Sequence, residues 1–199
     1  LKTNAEVRYN TKVTQELIEE IKPDVVIVAT GAVPIVPPIP GINGNNVYLA
    51  SEVEEKGTDQ LGDEIVILGG GLVGCETAIH LGKLGKKVTV VEMRSEAAAD
   101  CNCFHKIAIG MELEKYVTVL TDTKAENITD KGLEGLDKDG NKIFVPADAV
   151  ICAAGMRSDT TVADMVQKME IEMYVIGDAV RPNKVTQAIF DGYYIAKYL

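Results

Sequence analysis

Gly69, Gly71 and Gly74 stand in the order Gly-x-Gly-x-x-Gly, directly after the apolar run Glu64–Leu68 and at the head of a segment with helical spacing, Leu72–Leu84. A second run, Lys87–Glu92, ends in a carboxylate about 20 residues beyond the loop, the separation expected of a dinucleotide-binding strand–loop–helix–strand unit. Each glycine has its own reason. Gly69 permits the tight turn, Gly71 lets the backbone approach a pyrophosphate where a Cβ would collide, and Gly74 lets the helix lie close on the strand. The positive helix end and the N–H groups of its first turn, which includes Leu72 and Val73, then hold the phosphates. Glu92 can accept hydrogen bonds from the adenosine ribose and would repel a 2′-phosphate, which favours NADH. Arg94 argues the other way, because an arginine two residues on can pair with the 2′-phosphate of NADPH; Met93 lies between them. Read without a ligand, the same glycines would be only a strand-to-helix turn.

Other reactive side chains are few. Glu76 sits near the start of the same helix, where the dipole favours an acid whether or not it meets a ligand. Cys75 beside it reads as a small packing residue. Cys101-Asn102-Cys103-Phe104-His105 lacks the paired clusters of a structural zinc site and reads as a loop entering a helix. The four cysteines form no C-x-x-C or C-x₄-C pair, which argues against a disulfide reductase. With His80 and His105 the only histidines, no nucleophile has a matching base, so no catalytic residue and no metal ligand is assigned. Hydride chemistry does not require them, since the cofactors carry the reaction and the protein supplies position and electrostatics.

The surrounding elements alternate between strand and helix, which makes an α/β chain. Strands are expected at Glu6–Asn10, Asp24–Thr30, Val47–Leu49, Glu64–Leu68, Lys87–Glu92, Val117–Leu120, Asp148–Ala153 and Glu172–Ile176. Asp24–Thr30 is continuously apolar and β-branched, as for a strand buried on both faces of a parallel sheet. Helices are expected at Gln15–Ile21 with Thr14 as N-cap, near Ser51–Lys56, at Phe104–Tyr116 and at Lys184–Tyr198. Lys124–Thr129, Leu133–Lys138 and Lys142–Val145 are short polar strands, with Asp139-Gly140 as the turn between the last two. The stretch Pro34–Gly41 holds four prolines and reads as a stiff connector and domain boundary. The 199 residues carry 20 Lys and Arg against 30 Asp and Glu, a net charge of −10. That acidity speaks against a nucleic-acid partner. No apolar run reaches membrane-spanning length and no secretory signal is seen, so a cytoplasmic protein with free thiols is expected.

The runs VVIVATG (Val25–Gly31), GGGLVGCE (Gly69–Glu76), VTVVE (Val88–Glu92), AAG (Ala153–Gly155) and YVIGDA (Tyr174–Ala179) follow an order that resembles the flavoprotein pyridine-nucleotide oxidoreductases with two dinucleotide-binding domains. GKKVTVVEM (Gly85–Met93) and IGDAVRPNKVTQAIFDGY (Ile176–Tyr193) are similar to the C-terminal part of the NADH:flavin oxidoreductases of the 2,4-dienoyl-CoA reductase, 2-enoate reductase and NADH oxidase type. The resemblance implies a Rossmann-like three-layer NAD(P)-binding domain, residues 50–157, nested in a partial FAD-binding domain, residues 1–49 and 158–199. It implies that Gly69, Gly71, Gly74 and Glu92 hold the NAD moiety. Gly155 would lie at the second nucleotide-facing strand end and Glu76 near the nicotinamide. Thr30 and Gly31 would face the FAD, Gly177 and Asp178 its ribityl chain, and the helix after Lys184 would point its N-terminus at the isoalloxazine.

One departure stands out. The family's FAD domain opens with a glycine loop of its own, and this sequence has a single such loop, at residue 69. In larger members an FMN-binding barrel and iron–sulfur cysteines lie further upstream. The chain is therefore expected to be a piece of a longer polypeptide whose N-terminal domains are its partners. In that polypeptide hydride would pass from NADH to FAD and onward to FMN or substrate. Two other readings remain: an NAD(H)-binding regulatory module without redox chemistry, and a single-domain NAD dehydrogenase.

Overall fold

The computed structural model describes residues 5–199, apart from the side chains of Glu54 and Lys56. The chain forms α1 (Gln15–Ile21), β1 (Val25–Val28), β2 (Ala32–Pro34), β3 (Val47–Leu49), α2 (Ala50–Lys56), β4 (Glu64–Leu68), α3 (Leu72–Lys83), β5 (Lys87–Val91), α4 (Cys103–Tyr116), β6 (Val117–Leu120), β7 (Lys124–Thr129), β8 (Gly132–Leu136), β9 (Lys142–Pro146), β10 (Ala149–Cys152), β11 (Met156–Ser158), α5 (Thr161–Val166), β12 (Glu172–Val175) and α6 (Val185–Tyr198). They divide into two compact units. Pro34–Gly155 is one; the other is the chain up to Val33 together with Met156–Leu199.

The Pro34–Gly155 unit is built on a five-stranded sheet in the order β3-β10-β4-β5-β6, every neighbour parallel. Both faces of its central strands are covered, so β4 and β10 carry consecutive apolar residues, Ile65–Leu68 and Ala149–Cys152, rather than alternate ones. Ile65, Ile67, Val88, Val90 and Ile151 pack under α2 and α3 with Val53, Ala78 and Leu81. Val66, Leu68, Val91, Val150 and Cys152 face the other way, onto Ala125, Ile128, Leu133 and Val145 of the antiparallel sheet β7-β8-β9. α4 joins the helical layer through Ile109 and Leu113 against Cys75 and Ile79. The result is a Rossmann-like sandwich of three layers. The β8–β9 turn forms at the expected Asp139-Gly140: Asp137 Oδ1 accepts from Asp139 N and Asn141 N, 2.9 Å each, and Gly140 takes φ +81°.

The proline-rich stretch is not a free connector. Ile39 and Ile42 pack into the core beneath the antiparallel sheet, Ile128 N donates to Pro40 O at 2.9 Å, and Ile35 N to Gly155 O at 2.9 Å. β3 is likewise a member of the five-stranded sheet through β10. The two compact units divide at Val33–Pro34 and at Gly155–Met156.

In the other unit β1 pairs in parallel with β12, Val25 opposite Glu172, and α5 lies against both strands. β11 pairs with β2. Thr14 caps α1 through its hydroxyl, which accepts from Leu17 N at 3.3 Å. Two expectations need correcting. Residues 6–10 form no strand, because an alternating pattern becomes a strand only where a partner edge pairs with it, and no strand of the described residues does so. β1 is not buried on both faces: Val28 is buried but Ile27 is 43% exposed. Among the described residues β1 has one strand neighbour, so its second face and edge lack the cover its composition suits.

Candidate functional site

The site of the Pro34–Gly155 unit lies at the carboxyl ends of three adjacent parallel strands, the place where open α/β sheets bind ligands. β4 is followed by Gly69, β5 by Glu92, and β10 by Ala153–Gly155. Gly69 N donates to Val91 O at 3.0 Å and Ala153 N to Leu68 O at 2.8 Å, so the three strand ends are tied together. They open into a cavity of about 750 Å³. Its floor holds Gly69, Gly71 and Gly155; its walls come from Pro37–Pro40, from Glu92, Met93 and Arg94, and from Thr123–Glu126.

The three glycines differ in what the protein itself demands of them. Gly69 has φ +109°, and a Cβ there would lie 2.5 Å from Ala153 O. A Cβ on Gly74 would lie 2.0 Å from Gly69 O, so the close approach of α3 to β4 excludes any side chain. Gly71 has an ordinary φ of −66° and opens α3 as its N-cap. A Cβ there would meet only Asp100 Oδ1, at 3.8 Å, an ordinary contact distance. The fold requires Gly69 and Gly74; it does not require Gly71, whose missing side chain leaves space facing the cavity.

Glu92 is buried, at 7% exposure, and already engaged. Its Oε2 accepts from Gly70 N at 2.6 Å and its Oε1 from Arg94 N at 2.7 Å. The carboxylate therefore staples the glycine loop to the turn after β5. Each oxygen keeps a second lone pair, so a hydroxyl donor can still be served. Arg94 lies exposed on the cavity wall, as does Lys124, whose ammonium is 3.5 Å from Glu126.

Among the expected site residues, Gly69, Gly71, Glu92, Met93, Arg94 and Gly155 share this cavity. Leu72 and Gly74 pack beneath it rather than lining it, and Val73 faces outward. Glu76 lies in the second turn of α3, its carboxylate 3.8 Å from His105 Nε2. Thr30, Gly31, Gly177 and Asp178 belong to the other unit. There the Thr30 hydroxyl donates to Asp159 O at 2.8 Å, and Asp159 N to Gly31 O at 3.0 Å. Gly177 N donates to Asp191 Oδ2 and Asn183 N to Asp178 Oδ1, 3.1 Å each. Asp178 thus organises its own loop, and a cavity of about 380 Å³ beside α6 is lined by Gly177 but not by Asp178.

Sequence reasoning missed the proline wall, the wall Thr123–Glu126, and Asp100, whose Oδ1 accepts from Leu72 N at 3.0 Å. No spacing rule links residue 100 to residue 72. The prolines carried a signal, in the isoleucines interleaved among them, that fits a packed segment better than an exposed one. None of the four cysteines forms a disulfide among the described residues. Burial pushes the Cys75 thiol up to about 11 and raises that of Cys152. Cys101 packs beside Cys75 and Cys103 is exposed. Asn102 caps α4 by accepting from His105 N at 3.0 Å. No group of three or more His, Cys, Asp or Glu among the described residues is placed to hold a metal ion. No helix among them is long and apolar enough to cross a membrane.

A three-layer α/β unit with a glycine loop at the switch point of a parallel sheet defines a dinucleotide-binding domain. The chain belongs to the pyridine nucleotide-disulphide oxidoreductase family, whose model matches residues 2–192. It is 31% identical over 200 residues to an NADH oxidase of Thermoanaerobacter brockii, covering 98% of this chain and 31% of that protein. It is 32% identical over 198 residues to a cinnamate reductase of Clostridium sporogenes, covering 96% and 29%. Among solved structures it superposes on a 2-naphthoyl-CoA reductase with a TM-score of 0.84 and 33% identity, covering 92% of this chain and 28% of that one. The chain spans under a third of the length of each of these relatives.

Proposed function

We propose that the chain is the nucleotide-binding portion of a flavin-dependent NADH oxidoreductase, with the Pro34–Gly155 unit binding NADH and the other unit forming part of the FAD-binding domain. The observation that carries the NADH site is Gly71. Its missing side chain relieves no strain and avoids no clash within the protein. It opens onto the cavity at the N-terminus of α3, where a pyrophosphate would find N–H donors and a favourable dipole. Glu92 would add a carboxylate facing the adenosine ribose while holding the loop in shape, and its charge disfavours a 2′-phosphate. Arg94 and Lys124 stand on the same wall and set the counter-argument for NADPH.

The flavin assignment rests on the family and on relatives such as the NADH oxidase and cinnamate reductase. Nicotinamide and flavin supply the hydride chemistry when bound; this chain's residues bind, orient and exclude water. Gly69 and Gly74 fix the loop, Gly71 admits the phosphates, and Pro37–Pro40 close one wall with a stiff apolar segment that loses little freedom on binding. The terminal acceptor in the intact protein would be an enoate, an enoyl-CoA or oxygen, with FMN and an iron–sulfur cluster carried outside this chain. Calorimetric titration with NADH and with NADPH tests the cofactor choice. NADH should bind more tightly, and Glu92→Ala should weaken NADH and narrow the difference. A wild-type preference for NADPH contradicts that choice.

A further inference from the structure

The carboxylate of Asp100 occupies the part of the cavity where the proposed function needs a phosphate. Its Oδ1 accepts from the first N–H of α3, that of Leu72, at 3.0 Å, and the same oxygen is the nearest atom to the space in front of Gly71. The loop between β5 and α4 places it there. Ala98 is buried at 2% exposure and its N–H donates to Gly70 O at 2.7 Å; Cys101 N donates to Ala98 O at 3.0 Å, turning the chain so that Asp100 faces back onto the helix. α3 opens on Gly71, which has no side chain to cap it, so a carboxylate from 28 residues further along supplies the cap. An anion at a helix N-terminus is stabilised by the dipole and the orphan N–H groups, which is the attraction a pyrophosphate would use.

We propose that Asp100 is a resident competitor for the pyrophosphate site, displaced when a dinucleotide binds and returning when it leaves. Two anions cannot share one N–H donor at hydrogen-bond distance without strong repulsion. Nucleotide binding therefore includes moving the Asp100 carboxylate off Leu72. In the free protein the cap keeps the end of α3 satisfied; in turnover it favours release of the nucleotide. The inference rests on the dinucleotide reading of the cavity and adds a residue that tunes its affinity. Other charges facing the site are Glu92, which is fixed by two backbone N–H groups, and Arg94, Lys124 and Glu126 on the wall, the last two 3.5 Å apart.

The test titrates the intact protein with NAD⁺, which carries the pyrophosphate without donating hydride, and with adenosine, which has no phosphate. Asp100→Asn keeps an oxygen able to accept from Leu72 N but removes the charge; Asp100→Ala removes the cap. Both variants are expected to bind NAD⁺ more tightly than wild type, by roughly 2- to 30-fold, the range of charge effects at helix ends. Adenosine affinity should not change, whereas a merely structural change to the loop would alter both ligands. If wild type binds NAD⁺ and neither variant binds it more tightly, the competitor role is wrong and the dinucleotide site stands. If neither wild type nor any Asp100 variant binds NAD⁺, the dinucleotide reading fails and this inference fails with it.

Discussion

At the scale of single residues, the glycine loop separates what the fold needs from what a ligand needs. A Cβ at Gly74 runs into the Gly69 carbonyl, so Gly74→Ala should cost about 1–3 kcal/mol through displacement of α3, read as a lower melting temperature. Gly71→Ala meets no obstacle within the protein and should change stability by only about 0.5 kcal/mol while weakening NADH binding. Equal loss of stability in the two variants would contradict this division. Glu92→Gln places an NH₂ donor opposite one of the two backbone N–H groups the carboxylate now serves. One amide is then left without its acceptor, at about 1–3 kcal/mol in thermal or urea unfolding, and NADH affinity falls along with it. The motif spacing exposed the glycines and Glu92 in the sequence. Two features were invisible there: the double backbone anchorage of Glu92, which depends on β5 pairing beside β4, and Asp100 over the end of α3, which depends on how the loop after β5 returns.

At the scale of elements, β4 has the expected bounds, because an uninterrupted apolar run next to a glycine turn has few other ways to fold. β3, β6 and β7 also have the expected bounds although they are only partly buried. Residues 6–10 alternate and yet pair with no strand among the described residues, since periodicity describes a surface and not the presence of a partner strand. The link between β4 and the start of β10 supplies a pH-dependent contribution. Asp148 accepts from Asp63 N and Glu64 N, 2.9 Å each, which holds its carboxyl below the usual carboxylate range. Because the native pKa is the lower one, its stabilisation is complete above the unfolded value near pH 4 and is lost as the pH falls through the native value. Asp148→Ala should therefore melt below wild type at pH 7, and the gap should close at strongly acidic pH. A gap independent of pH would show that packing, not the charge, holds this junction. Burial gives the thiols an order of reactivity as well. Iodoacetamide at pH 8 should label Cys103 first and leave Cys75 and Cys152 unmodified until the chain unfolds.

At the scale of the whole molecule, the two units differ in completeness. Pro34–Gly155 encloses its central sheet on both faces. In the other unit α6 has no buried residue, and Val185, Ile189 and Tyr193 are exposed by 67–72%. Expressed by itself, Pro34–Gly155 should unfold cooperatively and retain the NADH affinity of the chain; a broad, non-cooperative melt would refute its independence. The alternation of strands and helices carried the fold class, and the order of five short motifs carried the family. Proline content marks residues 34–41 as a connector, and the two compact units divide at its first residue; the packing of partly buried Ile39 and Ile42 puts the stretch in the Pro34–Gly155 unit. The most direct test of the central claim is calorimetric titration of wild type and Gly71→Val with NADH, with melting curves run on both. Wild type should bind saturably, the variant should bind more weakly by roughly tenfold or more, and the melting temperatures should be closely similar. Unchanged NADH affinity in a folded Gly71→Val would contradict that claim.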